Sequence, residues 1–120
     1  QNYLTQQPMI SIIRKTILQY APKTTSALLF GSYGKNKPEK HSDIDLAFIS
    51  KNKLALLKLK KELSHLEKLY DKEINVIIFT PNKFRQMLNA AEENVGKQIL
   101  KSYIVLYNPE LFLEVALNGI

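Results

Sequence analysis

Asp43 and Asp45 stand two residues apart at the head of an apolar run, Asp43 to Ile49, which reads as a buried strand. Residues two apart on a strand point to one face, so both carboxylates project together, with Cα atoms about 6–7 Å apart. At about 6 Å they repel by roughly 3 kcal/mol at an effective dielectric of 20. A fold gains no stability from such a pair without a cation between the groups. Mg²⁺ suits the place, because it takes one or two carboxylates and completes its shell with phosphates and water.

A second short apolar run, Ser26 to Phe30, also reads as a buried strand, and it delivers the chain to Gly31-Ser32. Glycine lets backbone approach a ligand closely. A helical turn starting there would aim free N–H groups at a phosphate, and Ser32 adds a hydroxyl donor. Gly-Ser after a strand is usually an ordinary turn, and Asp-x-Asp is usually a cap or a solvated pair. Their joint occurrence beside two buried strands is more specific. The polar stretch between them, Gly31 to Ser42, is the right size to fold back and unite an anion cradle with a carboxylate pair.

The remaining chain supplies helices and one more clear strand. Pro8 to about Tyr20 is expected to be a helix, with Pro8 in its first turn and Ile10, Ile13 and Ile17 at helical spacing. Lys53 to about Leu69 carries leucines three and four apart and is amphipathic. Ile74 to Phe79 is β-branched and aromatic, as strands prefer. Thr80-Pro81 caps and starts a helix through Phe84, Met87 and Leu88. A helical stretch around Ile99, the apolar run Ile104 to Tyr107 and a helix after Pro109 complete the order. This pattern predicts an α+β fold of α/β type, a small mixed sheet flanked by helices, in one domain over residues 1–120.

Composition narrows the chemistry further. With no cysteine, disulfides and thiolate metal sites are excluded, which fits a reducing cytoplasm. Two histidines are too few for a histidine-rich centre, so a bound metal needs oxygen ligands: Mg²⁺, Mn²⁺ or Ca²⁺. No apolar stretch nears the roughly 20 residues of a membrane span. The first ten residues lack the features of a signal peptide. They also lack Met, so the chain is expected to be a piece of a longer one. The net charge of +6 favours anionic partners. Because the basic residues are spread over the chain, solubilising lysines account for them better than a nucleic-acid stripe does.

The segment from Gly31 to Ser50 resembles the signature of the polymerase-beta-like nucleotidyltransferase superfamily, especially its minimal bacterial and archaeal members. Their pattern is Gly-Ser, a loop, then Ser-Asp-x-Asp with the first aspartate twelve positions after the glycine. Gly31, Ser32, Ser42, Asp43, Asp45 and Leu46 match it, while Gly34-Lys35-Asn36 stands where Ala-Arg-Gly is common. The resemblance implies a nucleotidyltransferase fold and enzyme. Gly31 and Ser32 would hold the β- and γ-phosphates, and Asp43 and Asp45 would bind Mg²⁺ or Mn²⁺. A nucleoside monophosphate would pass from the triphosphate to an unknown acceptor. That acceptor could be a protein partner, as for minimal nucleotidyltransferase antitoxins. So small a fold leaves little room for an acceptor domain, so a partner chain or a homodimer is expected.

The superfamily usually carries a third carboxylate on a later strand, where this chain has Asn75. Asparagine keeps an oxygen ligand but loses the charge. Glu73, two residues earlier, is the candidate substitute; it reads equally as a solvated strand-edge charge. An alternative function follows: a catalytically weak nucleotide-binding regulatory module, fused to a DNA-binding domain. Lys35 and Lys37 are candidates to meet triphosphate oxygens. His41 lies beside the motif, His65 reads as a surface or packing residue, and Tyr33 packs either beneath the loop or against a base.

Overall fold

A computed structural model describes residues 8–35 and 42–118 of the chain; His41 and Lys37 lie outside the described residues. Within them the apolar runs become strands and the amphipathic stretches become helices. Helix α1 (Pro8–Tyr20) leads to β1 (Thr25–Phe30), a single helical turn α2 (Gly31–Gly34) and β2 (Ile44–Ser50). Then come a short 3-10 turn (Lys53–Leu56), α3 (Leu57–Tyr70), β3 (Ile74–Phe79) and α4 (Pro81–Asn89). The last elements are α5 (Val95–Lys101), β4 (Ile104–Tyr107) and α6 (Pro109–Asn118).

The strands form one mixed sheet in the order β3-β2-β1-β4. β1 runs antiparallel to both β2 and β4, while β2 and β3 are parallel. A parallel neighbour needs a crossover, and α3 supplies it. Helices cover both faces, which is why β2 is buried on both sides and reads as a nearly continuous apolar run. On one face Ile10, Ile13 and Ile17 of α1 and Leu59 and Leu63 of α3 pack over Leu46 and Phe48. On the other, Phe84, Ile99, Phe112 and Val115 from α4, α5 and α6 pack over Leu28, Ala47 and Ile49.

Local chemistry sets the boundaries. The Asn52 side chain accepts from the Leu54 and Ala55 amides, so the stretch expected to be one helix from Lys53 starts as a 3-10 turn and becomes α-helical at Leu57. Asp71 ends α3 in the left-handed conformation (φ 49°). Thr80 accepts from the Lys83 amide and Pro81 occupies the first turn of α4, as the sequence predicts. Asn94 caps α5 by accepting from Lys97. Among the described residues no helix is long and apolar enough to cross a membrane. His65 lies on the exposed face of α3, 3.8 Å from Glu62.

Phe84 is fully buried, its ring 5.7 Å from that of Phe79 and 6.3 Å from that of Phe112. Phe84→Ala removes the centre of this aromatic row and should cost about 3–5 kcal/mol. Urea unfolding should show a lowered midpoint with an unchanged slope.

Candidate active site

Strand pairing assembles the site from three segments. Phe30 pairs with Asp45 across the β1–β2 ladder, and Asp45 pairs with Asn75 across β2–β3. Neighbouring strands lie about 4.8 Å apart, so the Gly31 turn, the Asp45 carboxylate and the Asn75 amide become side-by-side neighbours at one end of the sheet. Alternation fixes the face. Asp45 shares its side of β2 with Ala47 and Ile49, and Asn75 shares its side of β3 with Ile77 and Phe79. The polar end of both strands therefore opens on the face covered by α4, α5 and α6. Asp43, just ahead of β2, is exposed; Asp45 is half-buried.

Asn75 joins the two aspartates. Its Nδ2 donates to Asp45 Oδ1 at 3.0 Å and to Asp43 Oδ2 at 3.4 Å. Turned over, the amide would set its carbonyl oxygen against two carboxylates, so the donor orientation is the favourable one in the absence of a cation. With a cation present the same rotation would offer Oδ1 as a ligand. Two carboxylates and an amide oxygen form a hard donor set that fits Mg²⁺ or Mn²⁺. Among the described residues no group of three or more histidine, aspartate and glutamate side chains is placed to hold a metal. Glu73 is exposed just ahead of β3, and its carbonyl accepts from the Ile44 amide at 2.9 Å. It lies at the same end of the sheet as Asp43 but does not gather with Asp43 and Asp45 into such a trio.

The glycine turn is built against Asp45. Gly31 has φ +68°, and a Cβ there would fall on Asp45 Oδ2 and within 3.2 Å of its Cγ. Only glycine permits both the backbone angle and this approach. The turn starts at Phe30, which offers no side-chain cap, and closes with the Lys35 amide on the Gly31 carbonyl at 3.0 Å. The first amides of a helical turn lack partners within it, so those around Ser32 begin beside the Asp45 carboxylate with no side-chain cap from Phe30. Tyr33 is buried beneath the turn, in the core under α1 and α3, with the Lys72 ammonium 5.5 Å from its ring centre. This decides between the two expectations for Tyr33. At Gly34 a Cβ would meet the Ser102 carbonyl oxygen at 2.7 Å. The end of α5 is thereby packed directly on the turn.

A cleft of about 400 Å³ opens here, lined by Gly31, Lys35 and Asp45 and, from the α5 side, by Glu93, Gln98 and Lys101. Its size is in the range of small-ligand sites. A larger cleft of about 510 Å³, lined in part by Lys51, Thr80 and Arg85, lies at the opposite ends of β2 and β3. The smaller one is the candidate site, because it joins the glycine turn to the aspartate. The α5 residues carry no local motif, and they reach the site only because β4 returns antiparallel to β1. No short-range signal in the sequence identifies them.

A mixed sheet with helices on both faces, a glycine turn after its first strand and an aspartate pair at the head of the next define the nucleotidyltransferase type of domain. The chain belongs to the polymerase beta nucleotidyltransferase family, whose model matches residues 13–110. Solved structures share the fold. A chain in the crystal structure of a toxin–antitoxin complex with AMP-PNP superposes with a TM-score of 0.59 at 20% identity, over 93% of this chain and 83% of that one. A mutant MntA–HpeT toxin–antitoxin complex gives 0.58 at 19% identity, over 91% and 82%. The tri-AMPylated Shewanella oneidensis HEPN toxin in complex with MNT antitoxin gives 0.57 at 20% identity, over 95% and 82%. Among curated proteins none matches the chain.

Gly31→Ala tests the contact between turn and carboxylate. It should destabilise the protein by about 1–3 kcal/mol through the left-handed backbone angle, and more if Asp45 cannot turn aside. Thermal unfolding of the ligand-free protein checks this, and an unchanged midpoint would contradict the geometry.

Proposed function

We propose that this domain transfers a nucleoside monophosphate from a triphosphate to a hydroxyl of a protein partner, using Mg²⁺ or Mn²⁺ held by Asp43 and Asp45. The observation that carries this reading is the packing of the Gly31 turn on Asp45, both of which line one cleft, with Asp43 tied to Asp45 through the Asn75 amide. Family membership supports the reaction type. The fold neighbours crystallised with AMP-PNP, and beside an AMPylated toxin, support an adenine nucleotide and a protein acceptor. The absence of cysteine suits a cytoplasmic setting.

In this reading Gly31 and Ser32 bind the β- and γ-phosphates through backbone amides and the Ser32 hydroxyl, and Lys35 adds a positive charge at the cleft wall. When bound, the divalent ion supplies charge neutralisation at the α-phosphate and the departing pyrophosphate. The acceptor oxygen bonds to the α-phosphorus as the bond to the bridging oxygen breaks, and pyrophosphate leaves with the electron pair. Asn75 cannot take the acceptor proton. Glu73, exposed at the same end of the sheet, is assigned that task. Most of the barrier reduction comes from positioning and electrostatics.

A second reading rests on Asn75. An amide that already bridges both aspartates, and adds no charge, suits a nucleotide-binding regulatory module with little turnover.

Calorimetric titration with ATP should show binding that needs Mg²⁺ and is lost in Asp43→Ala/Asp45→Ala. Equal affinity in EDTA would overturn the aspartates' role. Transfer of α-labelled phosphate then separates the two readings. Glu73→Gln should cut transfer by about 100-fold or more while leaving nucleotide binding intact. Asn75→Asp adds one negative charge beside two others and should tighten Mg²⁺ binding by about tenfold, with little gain in transfer. If the unmodified chain binds but does not transfer and Asn75→Asp alone confers activity, the regulatory reading holds.

A further inference from the structure

We propose that Lys101 is a triphosphate-binding residue, held by Glu93 until a nucleotide enters the cleft. This rests on the preceding reading and names a part of the site that the signature motif does not contain. Lys101 ends α5, and the next residue, Ser102, sets its carbonyl against Gly34. Backbone packing on the phosphate turn therefore fixes where Lys101 stands, and its side chain lines the same cleft as Gly31, Lys35 and Asp45.

The charges explain the pairing. Lys101 forms an ion pair with Glu93, which also lines the cleft. Both side chains are half or more exposed, at 67% and 50%, so solvent screens the pair and it contributes little to stability. The hydrogen bond from Lys101 is the main influence holding the Glu93 carboxyl below its usual range. Glu93 thus stays ionised at neutral pH and competes for the ammonium. A triphosphate brings several anionic oxygens to the same cleft, more charge than one carboxylate, and lysine's flexible stem lets the ammonium turn to them. Lys97, the other internal cation of α5, donates to the Ala90 carbonyl and does not line this cleft. Lys35 and Lys101 would then flank the phosphate tail from α2 and α5, offsetting the carboxylate of Asp45.

Titration of the whole chain with MgATP, and separately with AMP, tests this in Lys101→Met, Glu93→Gln and the double variant. Both positions are exposed, and unchanged thermal midpoints would confirm intact folding. Lys101→Met should raise the Kd for MgATP about tenfold and leave AMP unaffected. Glu93→Gln should lower the MgATP Kd a few-fold by freeing the ammonium, and that gain should vanish in the double variant. Unchanged MgATP affinity in Lys101→Met would overturn the proposal, as would equal losses for AMP or a Glu93→Gln gain that survives without Lys101. If the unmodified chain does not bind MgATP at all, the preceding reading fails, and this one with it.

Discussion

Two carboxylates at the head of one strand repel each other, and the neighbours of Asp43 and Asp45 are arranged around that repulsion. The Asn75 amide donates to both, so the pair carries a partial positive charge between its members even without a cation. Gly31 lies against the opposite side of Asp45, where any side chain would strike the carboxylate. The half-buried Asp45 is thus enclosed by an amide on one neighbouring strand and by bare backbone on the other.

The scaffold that holds this arrangement is ordinary hydrophobic packing. β2 is central and covered on both faces, so a one-residue slip would exchange the residues facing α1 and α3 for those facing α4 to α6. The slip would also move Asp45 out of line with Phe30 and Asn75. Core packing and site geometry are therefore fixed by the same register. The fully buried Phe48 and Ile49 on opposite faces of β2 hold Asp45 in place from within the two cores.

Much of this was legible in the chain itself. Periodicity located α1, β3 and the end of α3 to within a residue or two, because long amphipathic or β-branched runs have few alternatives. The one-turn helix after Phe30 followed from a glycine placed at a strand's end. The 3-10 start of the third helical segment did not, since it depends on the Asn52 side chain taking two amides. Tyr33 could not be assigned from its neighbours in sequence either. Its burial depends on the core that α1 and α3 build beneath the turn.

By itself the sequence determined the strand and helix order, the shared face of Asp43 and Asp45, and the glycine turn, because each is a matter of local period or backbone freedom. It also showed that position 75 carries an amide in place of an acid. Tertiary structure alone decided that this amide reaches both aspartates, since the contact depends on parallel pairing of strands joined by α3. It alone brought Lys101 and Glu93 to the cleft, roughly 70 and 60 residues along the chain from Gly31. Contacts at such separation are set by how a sheet closes and which helix caps its end, and no local pattern of residue types encodes that.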